Sequence, residues 1–151
     1  MGLWTVTLHV GFGLVTGALP SGRRCGAPLA SGATPATGSA TRGPSASLSS
    51  TAKLPARDLA NGIANNHKVS RAILADPAKL ALVGRLAEGF FALGGMQLQL
   101  TVQDRATLLA ARAHPEAHRD LLVRVSGYTA YFVDLTPELQ DEILARTEDL
   151  L

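Results

Sequence analysis

The chain has 151 residues, 46% hydrophobic and 17% charged, which is enough apolar content for one domain to bury a core. Residues 1–75 hold seven Lys/Arg and one Asp, a balance of +6, while residues 76–151 hold seven Lys/Arg against eleven acids, a balance of −4. The basic residues are scattered without aromatic interleaving, which argues against nucleic-acid binding, and the single cysteine, Cys25, excludes an internal disulfide or a cysteine-only metal cluster.

In the first ten residues Trp4, Val6, Leu8 and Val10 alternate with Thr5, Thr7 and His9, the pattern of a half-buried strand. No basic region precedes them as a signal peptide requires, and Arg23-Arg24 is followed by Cys25-Gly26-Ala27-Pro28 where a twin-arginine signal needs an apolar run. No span approaches the ~20 apolar residues of a membrane helix, so we expect a soluble protein without a membrane partner. A lone thiol fits a reducing cytoplasm. Gly11, Gly13 and Gly17 suggest a dinucleotide loop, but Pro20 blocks the helix that should follow and no acid appears before Asp58. Residues 11–53 contain eight of the fifteen glycines and four of the eight prolines, a composition of flexible linkers. Cys25 lies there with no neighbouring base and reads as an ordinary thiol.

From Asp76 the pattern becomes regular. Asp76 caps a helix with Pro77 in its first turn, and Gly94-Gly95 stop it. Leu80, Val83, Leu86, Phe90 and Leu93 recur at helical spacing as a core stripe. Met96, Leu98, Leu100 and Val102 then alternate with Gln97, Gln99 and Thr101, which predicts a strand. Asp104 caps a short helix through Ala113, ended before Pro115. The spacing from Val102 to a strand at Leu121 suits a right-handed parallel crossover, placing both strands in one sheet. His114 and His118 resemble a metal pair, but Pro115 disrupts the helix that would present them and no third ligand is evident, so no bound metal is expected. Thr136-Pro137 opens a last helix whose Leu139, Ile143 and Leu150 share one face.

Between Leu121–Val125 and Tyr128–Leu135, two runs of strand formers, stands the lone Gly127. No Asn, Asp or Pro adjoins it to suggest an ordinary hairpin. Such a glycine marks a bulge, or a place where something approaches the backbone closely.

Arg124-Val125-Ser126-Gly127-Tyr128 resembles the C-terminal signature of the glycyl radical enzymes, the family of pyruvate formate-lyase (formate acetyltransferase), glycerol and diol dehydratases and related lyases. The flanks His114-Pro115-Glu116, Arg119-Asp120-Leu121, Gln140-Asp141-Glu142 and Ala145-Arg146-Thr147 are similar too, as is Thr16-Gly17-Ala18-Leu19-Pro20-Ser21-Gly22-Arg23 upstream. The resemblance implies an α/β fold: a partial C-terminal portion of the family's ten-stranded barrel, with a βαβ unit, a glycine loop and a C-terminal helix. It divides the chain into residues 1–53, a strand and barrel-associated loops, and residues 54–151, the glycine radical domain. It departs at Thr101, where the family often has Asn, and leaves Leu59–Lys68 matched only loosely.

By the same resemblance Gly127 carries a stored radical, with Arg124, Val125, Ser126 and Tyr128 as its loop neighbours. This protein-derived radical is the cofactor. A radical S-adenosylmethionine activase with an iron–sulfur cluster removes the hydrogen, and a cysteine on a separate core takes up the radical and attacks substrate. Glycine suits a Cα radical because no side chain prevents planarity or keeps a reactant away, and burial between apolar strands would exclude water and oxygen. The chain lacks that cysteine and is expected to be inactive alone. The expected role is the radical-bearing domain, as a fragment or truncated gene product. The alternatives are a stand-alone subunit that repairs a damaged partner, and an inert interaction module. Substrate is left open.

Overall fold

The computed structural model describes residues 8–125, 127–146 and 148–149. The framework is a crossover unit: strand β1 (Asn65–Val69), helix α3 (Pro77–Ala92) and strand β2 (Leu98–Val102). It is preceded by helices α1 (His9–Leu14) and α2 (Gly43–Thr51). β1 and β2 pair in parallel from Asn65↔Leu98 to Val69↔Val102. A short strand β5 (Glu148–Asp149) joins the other edge of β1, giving the order β2–β1–β5. Helix α4 (Arg105–Ala113) leads to a separate antiparallel hairpin, β3 (Leu122–Arg124) and β4 (Thr129–Tyr131), and helix α5 (Pro137–Ala145) follows.

α3 forms as its sequence predicts. The Asp76 carboxylate accepts the amides of Ala78 (2.9 Å) and Lys79 (3.4 Å), Pro77 occupies the first turn, and the end closes with Gly94 N–H to Phe91 O and Gly95 N–H to Phe90 O, both 2.9 Å. Its stripe is only partly covered. Phe90 is buried and Val83 and Leu86 face Val69 and Leu98, but Leu80 and Leu93 stay exposed. β2 also forms as expected, though its apolar residues Leu100 and Val102 are more than a third exposed. α4 begins after Asp104, but that carboxylate accepts the Arg71 amide (3.2 Å) instead of capping its own helix.

Three expectations are corrected. His9 and Val10 are not strand residues; both are buried in α1, because one helical turn places His9 against α5. The alternation at residues 4–7 lies outside the described residues. The crossover joins β1 to β2, not β2 to β3, so the glycine strands belong to a second sheet. β1 itself, polar Asn65-Asn66-His67-Lys68 followed by Val69, carries no strand signal yet is buried throughout. Loop contacts compensate its polarity: Thr34 Oγ1 accepts the Asn66 amide (2.8 Å), Asn65 Nδ2 donates to Thr51 Oγ1 (3.0 Å), and Asn66 Nδ2 donates to Ser31 Oγ (3.2 Å).

The Gly-rich stretch is therefore structured. Arg23 fastens one end, donating to Gly13 O (2.7 Å), Gly17 O (2.8 Å), Thr16 O (3.2 Å) and Ala27 O. A planar guanidinium satisfies several loop carbonyls at once, which offsets part of the loop's ordering entropy.

The main core lies between α4, the hairpin and α5: Leu108, Ala111, Val123, Val125, Phe132, Ile143 and Leu144, with Leu121, Ala130, Leu135 and Leu139 at its margin. α5 thus packs on the hairpin through Ile143 and Leu144, while Leu150 of the anticipated stripe lies outside the described residues. Phe132, fully buried at the centre, should lose about 3–5 kcal/mol of stability on replacement by Ala. Urea denaturation measures this, and a loss below ~1 kcal/mol would mean that the cluster is not the core of the folded chain.

Candidate functional site

Gly127 sits at the tip of the β3–β4 hairpin. Register pairs Leu122↔Tyr131, Val123↔Ala130 and Arg124↔Thr129, and Val125 N–H donates to Tyr128 O at 3.0 Å, which puts Gly127 in the turn between the strands. The feature read as a bulge or close approach is thus a tight turn. Gly127 has φ +79°, the left-handed region that side chains disfavour, and an added Cβ would meet nothing within 4 Å. Strain alone reserves the position for glycine. The surrounding space is open.

The root and tip of the loop differ sharply. Val123 and Val125 are buried in the main core, whereas Gly127 is exposed and Tyr128 is 39% exposed. Ser126 lies outside the described residues. Among the described residues the expected burial of Gly127 between apolar strands is not seen: the hairpin is a two-stranded sheet and Gly127 at its tip is exposed.

Two arginines secure the root. Arg124 donates from Nε to Gln99 Oε1 (2.9 Å) and from Nη1 to Thr129 Oγ1 (3.2 Å), tying the hairpin to β2 and to its own partner strand. Arg146, just past α5, donates to Arg124 O (2.9 Å) and Val125 O (2.6 Å). The same guanidinium contacts Glu142, with Nη2–Oε2 at 2.9 Å and Nε–Oε2 at 3.1 Å. His9 Nε2 lies 3.5 Å from the same Glu142 Oε2. Burial acts to raise the Glu142 carboxyl, but hydrogen bonds from His9 and Arg146, and the charges behind them, outweigh it and hold the group below its ordinary value. A cavity of about 50 Å³ beside this cluster is lined by Ser31, Asn66, Lys68, Thr101, Arg124 and Arg146, so Thr101 shares it with both arginines.

Sequence reasoning singled out Gly127 and its neighbours and assigned no role to Arg146, Glu142, Gln99 or His9. The Glu142–Arg146 spacing of four on one helix end was a readable signal of an ion pair; His9 left none, because its segment read as a strand. Cys25 is exposed in the Arg23 loop. His114 is exposed and meets only Glu116, at 3.7 Å, and among the described residues no three His, Cys, Asp or Glu side chains converge. Nor is any helix among them long and apolar enough to cross a membrane.

Two predictions follow from this geometry. Gly127→Ala should cost about 1–2 kcal/mol through the left-handed backbone, without a clash, and show as faster amide exchange in the hairpin while the core exchanges normally. A core that loosens equally would contradict an isolated tip. Because the folded Glu142 carboxyl is lowered, its stabilisation is present above the ordinary value of 4.5 and disappears as pH falls through the folded value below it. Denaturation midpoints of the wild type should therefore drop on acidification below 4.5, and Glu142→Gln should lack that component.

Comparison with known proteins places the site in context. The family model described as "Glycine radical" matches residues 29–133. The probable dehydratase YbiW of Escherichia coli is 40% identical over 99% of this chain and 19% of its own length. The isethionate sulfite-lyase of Desulfovibrio desulfuricans is 38% identical over 94% of this chain and 17% of its own. A solved structure concerned with 1,2-propanediol dehydration in Roseburia inulinivorans superposes with a TM-score of 0.93 at 43% identity, covering 98% of this chain and 19% of that one. The chain spans about a fifth of the length of the relatives it matches.

Proposed function

The chain belongs to the glycyl radical enzyme family, whose α/β fold it reproduces in part, and from that premise we propose that it stores an unpaired electron on Gly127 and passes it to a cysteine outside the described fold. The observation that carries this reading is the exposed, left-handed glycine on a hairpin whose root is locked. A Cα radical is formed by loss of one hydrogen atom. Spin then spreads into the flanking amide and carbonyl, and glycine permits the planar centre this needs. The polypeptide becomes its own radical cofactor, with the fold supplying position.

The reading assigns two partners. A radical S-adenosylmethionine activase takes the hydrogen atom from Gly127; its iron–sulfur cluster belongs to that enzyme and needs no metal site here. A cysteine-bearing core, on another segment or another chain, then donates its thiol hydrogen to Gly127 and keeps the thiyl radical. Cys25 is not given that role: it lies exposed in the Arg23 loop and reads as an ordinary free thiol. Exposed Leu122, Tyr128 and Tyr131 flank the tip and would be covered when the hairpin enters the core, excluding water and oxygen. An anaerobic cytoplasm suits both the radical and the free thiol.

Arg124, Val125, Ser126 and Tyr128 then set the loop's shape. The chemistry of the substrate is decided in the core: relatives as different as a probable dehydratase and an isethionate sulfite-lyase match this segment about equally well. Formate acetyltransferase, dehydratase and other lyase reactions all fit the segment.

The test is reconstitution under strict anaerobiosis with an activase and a relative's core lacking its own corresponding piece. Wild type and Cys25→Ser should both restore turnover, and Gly127→Ala should restore none. Turnover with Gly127→Ala would refute the assignment; loss with Cys25→Ser would mean the thiol is in this chain.

A further inference from the structure

We propose that Arg146, held by Glu142, is the positioning residue of the glycine loop: its guanidinium grips the last two carbonyls before the turn and so sets where the Gly127 Cα lies. The inference rests on the radical reading for its purpose, though not for its geometry. Val125 N–H donates to Tyr128 O and Phe132 N–H to Leu121 O, so alternation makes Arg124↔Thr129 a non-hydrogen-bonded pair and turns the Arg124 carbonyl away from β4. Among the described residues no strand receives that carbonyl. Arg146 Nη1 meets it at 2.9 Å, and Nη2 reaches Val125 O at 2.6 Å, so one side chain holds two successive carbonyls at the root of the loop.

A hairpin of so few pairs is marginal by itself. Its buried valines hold the strand in the core but do not fix the rotation of the peptide planes beyond Arg124. A planar fork bound to two successive carbonyls does fix them. Gly127 follows Val125 by two residues, so any rotation there passes directly to the tip. Glu142 aims the fork: it holds Nε and Nη2 while Nη1 and Nη2 reach the hairpin carbonyls, and His9 Nε2 lies 3.5 Å from the same carboxylate oxygen. Lysine, a single-point donor, cannot span this arrangement.

Amide hydrogen exchange on the whole 151-residue chain tests the proposal, comparing wild type with Arg146→Lys and Glu142→Gln. Arg146→Lys should speed exchange at Val125, whose amide donates to Tyr128 O, and at the paired Val123 and Ala130 of the hairpin by about tenfold or more, the size of one lost charge-assisted hydrogen bond, and leave β1 and α3 amides unchanged. Glu142→Gln should give a smaller change at the same amides. Unchanged loop exchange would overturn the proposal, and so would an equal rise at every amide or unfolding of both variants, because Arg146 would then serve stability alone. Radical yield after activase treatment, read in the same variants, should fall with loop order. If the wild type itself gives no radical while loop exchange still responds, the positioning role stands and the radical reading fails.

Discussion

The contact of one guanidinium with two hairpin carbonyls and one buried carboxylate is what the geometry around Gly127 depends on. Three elements distant in sequence meet there: α1 through His9, the hairpin through the Arg124 and Val125 carbonyls, and the end of α5 through Glu142 and Arg146. The adjoining apolar core brings α5 to the hairpin, because Ile143 and Leu144 pack with Val123, Val125 and Phe132. Core packing determines the distance between these elements and the ionic contact determines their orientation. Neither suffices alone, since hydrophobic contact is non-directional and a short hairpin is weak.

Glu142 is costly to bury, and a buried ion pair seldom stabilises a fold more than apolar residues of the same shape. Its retention makes sense if orientation is the benefit. The carboxylate also keeps Arg146 from competing for solvent, so that its remaining donors are spent on the loop. The root is thereby rigid while the tip is left open, an arrangement suited to a backbone atom that other molecules must reach. Beside the exposed tip, the apolar residues Leu122, Tyr128 and Tyr131 are uncovered too.

Much of this was legible in the sequence. The Asp76-Pro77 start and Gly94-Gly95 stop of α3 are local signals acting within a few residues, and they hold in the structure. So does the alternation that gives β2. The Arg124–Tyr128 motif led to the glycine site because it is short and contiguous. Elements that depend on distant partners were not readable. β1 is a polar strand made tolerable by Ser31 and Thr34 of the loop and Thr51 of α2, all within a stretch whose composition described a linker, and no period reveals such compensation. His9 alternated like a strand residue, but its carboxylate partner lies far along the chain. Strand order was misjudged because a helix of suitable length after β2 fits a crossover equally well whether or not the next strand joins the same sheet. The hairpin was missed since its turn lacks the usual Asn or Asp beside glycine, although Gly127 does supply a positive φ there.

The most direct test of the central claim is electron paramagnetic resonance of the chain after anaerobic treatment with S-adenosylmethionine and an activase proven on a full-length family member. A doublet from a glycine Cα radical, present in the wild type and lost in Gly127→Ala, is the predicted result. A signal that survives Gly127→Ala would put the radical elsewhere. No signal from the wild type would show that a locked root and an open tip are not enough to make this glycine a radical site.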